Sequence, residues 1–172
     1  ALGEEAMTAL RKNLDWPYEP FEIDKEIYDS WNAVEKGTAL EKEWDDLCKE
    51  FSELEPDKSD LMQRLVEGEM PKNFEDDFNK FIDELSSNSD SLATRKSSQI
   101  VLEFLQANLP ELIGGSADLS GSNNTNTKHS IDINSNDGGN YIYYGVREFG
   151  MNAVMNGMAL HGGLIPYSGT FL

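Results

Sequence analysis

Cysteine is nearly absent from this chain of 172 residues: Cys48 stands alone. An internal disulfide framework is therefore excluded, and a single thiol fits a reducing, cytoplasmic setting. Histidine is scarce as well. His129 and His161 lack a second His, Cys or carboxylate at metal-ligand spacing, so no metal ligand is assigned. No run of about 18 apolar residues occurs, which excludes a transmembrane helix of the usual kind. The opening residues, Ala-Leu-Gly-Glu-Glu-Ala, lack the basic start and apolar stretch of a secretory signal. Basic residues are few: 14 Lys and Arg against 32 Asp and Glu leave a net charge of −18. That balance argues against nucleic acid and anionic membrane as partners. Nucleophile elbows, Walker A loops and dinucleotide fingerprints are missing too.

What is there divides in two. Residues 1–90 hold 26 acidic and 10 basic side chains, whereas residues 91–172 hold 6 and 4. The acidic part reads as solvated helix faces. Helices are expected over 3–14, 25–54, 58–67 and 74–86, with Gly37-Thr38 as a break in the second. Between the first two, Asp15-Trp16-Pro17-Tyr18-Glu19-Pro20-Phe21 breaks the pattern and reads as extended chain whose aromatics pin a connector to a neighbouring surface. The polar run 86–91 is a joint, and a domain boundary is placed there, giving 1–90 and 91–172.

Beyond the joint the pattern alternates. An amphipathic helix is expected over 95–107, with Ile100, Val101, Phe104 and Leu105 inward and Thr94 as its N-cap. Leu112-Ile113 reads as a strand entering Gly114-Gly115-Ser116. A long polar loop comes next over 120–140, then a strand at Tyr141-Ile142-Tyr143-Tyr144. A helix over about 147–160 stops at Gly162-Gly163. Thr170-Phe171-Leu172 reads as a last, buried strand. The fold class is α/β: a helical, acidic N-terminal part, then a parallel sheet that looks cut short. Such sheets carry functional loops at the carboxyl ends of their strands.

Three places offer chemistry. Arg95 and Lys96 begin a helix, where cations oppose the dipole. A bound anion explains them, and so does pairing with acidic neighbours. Gly114-Gly115-Ser116-Ala117-Asp118 comes after a strand and lets a ligand approach, although a glycine pair is also simply a turn. Glu148, between apolar neighbours at a helix start, suits a shifted proton equilibrium. From the residues alone, a salt bridge to Arg147 or a favourable place on the helix dipole is the preferred reading. Gly150, Ala153 and Gly157 form a stripe that permits close helix packing, and Met151, Met155 and Met158 read as core.

Taken together, F-E-I near 21–23, G-E-M-P at 68–71, S-S-Q behind Arg95-Lys96, L-I-G-G-S-A-D-L at 112–119, N-Y-I-Y-Y-G-V-R-E-F-G-M at 140–151 and H-G-G-L-I-P-Y-S-G-T-F-L at 161–172 resemble transketolases across essentially the whole chain. The resemblance implies that residues 1–90 join the diphosphate-binding domain to the pyrimidine-binding domain, and that residues 91–172 open the latter. It implies transfer of a two-carbon ketol unit between sugar phosphates through thiamine diphosphate, held with Mg²⁺ or Ca²⁺ in the complete enzyme. By the same resemblance Glu148 shares a proton with N1′ of the aminopyrimidine. Arg95 and Ser122 hold the substrate phosphate, Asp118 lies near the cofactor, and Phe171 lines the pyrimidine pocket. A homodimer is implied, with each cofactor between subunits.

Two departures accompany the resemblance. The loop Asn123–Gly139 is richer in Asn and Ser than the family's and lacks its usual aromatic. The family's G-D-G…N motif and substrate histidines are not in this sequence, so the chain alone is expected to be inactive and to bind no cofactor tightly. The alternatives are a dihydroxyacetone synthase segment, or a non-catalytic acidic helical docking module. Deoxyxylulose-phosphate synthase fits less well, since its equivalent block reads G-I-A-E-Q.

Overall fold

The computed structural model describes residues 2–87, 91–135 and 138–171 and divides into two compact units, Ala1–Leu54 and Glu55–Leu172. Unit one is helical. Helix α1 (Glu4–Asn13) carries Glu4 and Glu5 in its first turn and Arg11 and Lys12 in its last, so its charges complement the peptide dipole. The chain then turns at Asp15 (φ 51°), and Trp16 packs edge-on against Tyr18 with ring centroids 5.2 Å apart. Phe21 departs from the pinned connector expected there. It has φ 68° and is fully exposed.

Helix α2 (Lys25–Trp31) is capped by Asp24, whose carboxylate accepts the Glu26 N–H at 2.7 Å. The break expected at Gly37-Thr38 lies instead at Asn32-Ala33. Asn32 Oδ1 accepts the Val34 N–H at 3.1 Å, the Ala33 carbonyl accepts the Gly37 N–H at 2.7 Å, and α3 (Val34–Leu54) runs through the glycine. A competing cap five residues upstream outweighs the weak breaking tendency of one glycine.

The second unit starts at Glu55, ahead of the composition change at 86–91; residues 88–90 of that polar run lie outside the described residues. Two features tie 55–86 to the rest of this unit. Arg64 on α4 (Pro56–Glu67) pairs with Glu111, and the phenylalanines of α5 (Phe74–Ser86) meet Phe104 of α6 (Thr94–Asn108). Phe81 stacks on Phe104 at 4.5 Å, and Phe78 meets the same ring edge-on at 5.7 Å. Thr94 is the first helical residue rather than the cap, a place held by Ala93 without a side-chain bond.

Helix α6 delivers the chain to a three-stranded, wholly parallel sheet of order β2-β1-β3, formed by β1 (Leu112–Ser116), β2 (Tyr141–Tyr143) and β3 (Ile165–Gly169). Gly114 and Gly115 lie inside β1 rather than in a turn after it. A Cβ on Gly114 would overlap the Tyr167 carbonyl, and one on Gly115 the Ile142 carbonyl, so only glycine lets both neighbours pair this closely. The last strand ends at Gly169, not at Leu172. Phe171 lies past it and is 52% exposed, while Leu172 is outside the described residues. Short helix α7 (Ser120–Asn123) interrupts the expected loop, and α8 (Glu148–His161) buries Met151. No helix among the described residues is long and apolar enough to cross a membrane.

Candidate functional site at the carboxyl edge of the sheet

Parallel strands end on one edge, and each of the three hands a candidate residue to it. β1 ends at Ser116 and leads in two residues to Asp118, then to Ser122 in α7. Past β2 the chain passes Tyr144, Gly145, Val146 and Arg147 into α8, whose first residue is Glu148. β3 ends two residues before Phe171. Arg95 comes from α6, and Gln99, one turn later, donates to the Asn126 carbonyl at 2.7 Å. That bond lays the start of α6 beside the loop after β1. All five sequence-predicted residues thus come from segments gathered toward one edge, and all five are exposed.

The alternative for Glu148 as a partner of Arg147 is not what the structure shows. Arg147 Nη1 donates to the Tyr144 carbonyl at 2.9 Å, back across the turn. Gly145 makes that turn possible with φ 67°, a conformation costly for residues with a Cβ. Among the described residues no side chain pairs with the Glu148 carboxylate, which stands at the positive end of α8. Arg95 likewise has no ion pair among the described residues, while Lys96 bonds Gln99 Oε1 at 2.8 Å. Pairing with an acidic neighbour among the described residues therefore does not explain Arg95; Asp90 lies outside them. Asp118 adopts φ 63°, a strained backbone for a non-glycine residue at a candidate site.

Sequence reasoning missed what holds this edge. Ser116, entirely buried, donates to the Gly169 carbonyl at 3.0 Å and accepts the Leu119 N–H at 3.2 Å. Asn123 Nδ2 donates to Ser116 Oγ at 2.8 Å, and Asn123 Oδ1 accepts Thr125 Oγ1 at 2.8 Å. Thr125 Oγ1 also meets the Tyr141 hydroxyl at 2.8 Å, which lies 2.6 Å from Ser120 Oγ. Tyr167 donates to the Thr125 carbonyl at 3.0 Å and accepts Gln106 Nε2 at 3.1 Å. Burial pushes the Tyr167 phenol far above its usual value, so it stays a neutral donor. The signal in the sequence was only a density of Ser, Thr, Asn and Tyr, whose partners lie up to 61 residues apart.

Two polar atoms at the same edge have no such partner. Tyr144 Oη, just past β2, and Thr170 Oγ1, just past β3, are buried without a hydrogen bond among the described residues. Burial raises the Tyr144 phenol above its ordinary value. Buried polar atoms are nearly always satisfied, and the other exception among the described residues is Arg11 Nε in the first unit.

Comparison with known proteins finds two family models along the chain. Residues 90–172 match the family model of the transketolase pyrimidine binding domain, and residues 1–71 match that of the transketolase thiamine diphosphate binding domain. The second match reaches well into the segment read from the sequence as a connector. Transketolase 2 of Escherichia coli (strain K12) is 46% identical over 171 residues, which is 99% of this chain and 26% of that protein. The plasmid-borne transketolase of Cupriavidus necator shows the same identity and coverage. Among solved structures, transketolase from Leishmania mexicana aligns with a TM-score of 0.81 at 31% identity, covering 98% of this chain and 25% of that one. Pichia stipitis transketolase in complex with sedoheptulose-7-phosphate gives 0.80 at 32%, covering 99% and 26%. The chain thus spans about a quarter of the length of the relatives it matches. These matches favour the enzyme over a docking module.

Proposed function

The chain belongs to the transketolase family, and we propose that it forms the pyrimidine-binding side of an enzyme moving a two-carbon ketol unit from a ketose phosphate to an aldose phosphate. One observation carries this reading: an exposed carboxylate, Glu148, without a side-chain partner among the described residues, opens a helix at the carboxyl edge of a parallel sheet, beside segments bearing Asp118, Ser122 and Phe171. The edge suits thiamine diphosphate. An aromatic heterocycle needs apolar walls and a carboxylate at a ring nitrogen, and Phe171 and Glu148 are the residues here of that chemistry. The orphaned Tyr144 Oη and Thr170 Oγ1 add polar groups at the same place. When bound, thiamine diphosphate supplies a nucleophilic thiazolium carbon that accepts and releases the two-carbon unit.

Glu148 holds a proton at the aminopyrimidine ring nitrogen and exchanges it there as general acid and base. Its place at a helix start, away from the Arg147 guanidinium, leaves both carboxylate oxygens available. Phe171 would supply an apolar wall for the pyrimidine, and Asp118, in the loop after β1, would help hold the cofactor. Arg95 and Ser122 anchor the substrate phosphate. Arg95 offers a planar fork of donors, reinforced by the free N–H groups of the first turn of α6. The work is cytoplasmic and needs a second subunit, whose diphosphate-binding half completes each site. Gly150, Ala153 and Gly157, exposed along α8, suit that interface.

The test is Glu148→Gln in the intact enzyme that carries this segment. Glutamine keeps a hydrogen bond but cannot exchange the proton. Turnover should fall by about 10²–10⁴-fold, the usual range for a lost general acid–base group. An unchanged rate of thiazolium hydrogen exchange would refute the role.

A further inference from the structure

We propose that Asn123 is a positioning residue for the substrate phosphate, acting through its neighbour Ser122; the inference rests on the phosphate role assigned above to Arg95 and Ser122. Helix α7 is a single turn of four residues, Ser120–Asn123. One turn does not hold itself in water, because nucleation fixes several dihedrals for one hydrogen bond. Something outside α7 must therefore set where Ser122 points. Successive residues on a helix point roughly 100° apart, so fixing one aims the next. Ser122 is exposed, whereas Asn123 is buried with 9% of its surface accessible.

The amide of Asn123 has only one orientation that satisfies its surroundings. The Thr125 N–H points at its oxygen, at 3.3 Å, and Thr125 Oγ1 donates to the same oxygen at 2.8 Å. The nitrogen then faces Ser116 Oγ at 2.8 Å. That hydroxyl has one proton, spent on the Gly169 carbonyl, and its remaining capacity accepts the Leu119 N–H and Asn123. Asn123 must donate there. Asparagine's two ends are thus both committed, one to the end of β1 and one to the chain leaving α7. Gly169 completes the seat. A Cβ there would lie 3.0 Å from Asn123 Nδ2 and would overlap the Thr125 methyl.

Aspartate at 123 has the same shape but no donor. Its carboxylate would face a lone pair of Ser116 Oγ, or take the hydroxyl proton from Gly169. In either case α7 shifts by a small rotation while the sheet remains. The expected consequence is selective: the phosphate end of the substrate is misplaced, and the reacting end is not.

The experiment compares a phosphorylated ketose donor with an unphosphorylated ketose donor in the intact enzyme carrying this segment. Wild type, Ser122→Ala, Asn123→Asp and Thr125→Val are assayed for kcat and KM separately. Asn123→Asp should raise KM for the phosphorylated donor about tenfold, like Ser122→Ala, with kcat/KM for the unphosphorylated donor kept within about twofold. Thr125→Val, which removes one of the two bonds to Asn123 Oδ1, should act in the same direction more weakly. It carries the test if Asn123→Asp does not fold. If Ser122→Ala loses phosphate preference while Asn123→Asp and Thr125→Val keep it, or lower both donors equally, the inference is wrong and the phosphate reading stands. If Ser122→Ala itself leaves the preference intact, the phosphate role falls and the inference falls with it.

Discussion

Arg64 grips Glu111 through two parallel bonds, Nη1 to Oε1 at 2.7 Å and Nη2 to Oε2 at 2.9 Å, across 47 residues of chain. Arg64 Nη1 also donates to the Glu69 carbonyl at 2.8 Å, so the guanidinium locks the end of α4 as well. Glu111 is only 5% exposed and sits immediately before β1. The pair therefore joins α4 to the sheet at the amino edge, opposite the candidate site.

Acid should break this joint. Burial pushes the Glu111 carboxyl up, but the Arg64 bond and charge outweigh it and hold the group below its ordinary value of 4.5. A depressed pKa gives stability that is complete above the unfolded value and is lost as pH falls through the folded one. Unfolding free energy from urea titrations should thus decline below about pH 4.5, and Glu111→Gln should flatten that decline. The substitution also leaves the half-buried Arg64 without its counter-charge, at a cost of about 1–3 kcal/mol at neutral pH. A Glu111→Gln protein as stable as the parent at pH 7 would contradict the assignment.

Phe104→Ala should separate α5 from the unit it belongs to. Phe104 meets Phe74, Phe78 and Phe81. Its removal should cost about 3 kcal/mol, near the lower end for a phenylalanine truncation because the cluster is only half-buried. Hydrogen exchange should show residues 74–86 losing protection first. Equal loss over β1 and α5 would mean that the ring serves the sheet rather than this joint.

These two contacts explain which parts of the fold were readable. Helix periodicity, the strand propensity of Tyr141-Ile142-Tyr143 and the Gly162-Gly163 stop are local signals, and the elements obey them. Where the compact unit begins is decided by Arg64–Glu111 and by Phe81–Phe104, pairs distant in sequence that periodicity does not register. The glycines of β1 misled for the opposite reason. Locally they read as a turn, but neighbouring strands require them inside the sheet. At the candidate site, the places of Glu148 at a helix start and of Asp118 after β1 were legible from motif and position, and their roles rest on the proposal above. The hydroxyl and amide network beneath them was not, since no single member of it is unusual.

Cofactor affinity of the 172-residue chain by itself is a separate test. The family model for the diphosphate-binding domain matches only residues 1–71 here, and the sequence holds no G-D-G…N motif for the metal and diphosphate. Most binding free energy of a diphosphate resides in its charged end, through metal and charge-assisted bonds. Calorimetry with thiamine diphosphate and Mg²⁺ should therefore give no measurable heat of binding at micromolar protein. A micromolar dissociation constant would mean that the pyrimidine edge binds tightly unaided.

Two helical glycines offer a last discrimination. Gly37 in α3 and Gly157 in α8 both face open space, with nothing within 4 Å of the point where an alanine methyl would stand, and neither needs a positive φ. In the isolated chain, alanine at either position should stabilise by roughly 0.4–1 kcal/mol, because it lowers the freedom of the unfolded state. Their behaviour should diverge in the intact enzyme. Gly37→Ala should remain neutral or stabilising toward thermal unfolding. Gly157→Ala adds a methyl to the exposed small-residue face of α8, and on the proposed dimer close approach of a second subunit would leave no room for it. Sedimentation at low concentration should then show weaker dimerisation for Gly157→Ala alone. If both variants dimerise as tightly as the parent, the stripe on α8 is not the surface that meets the partner.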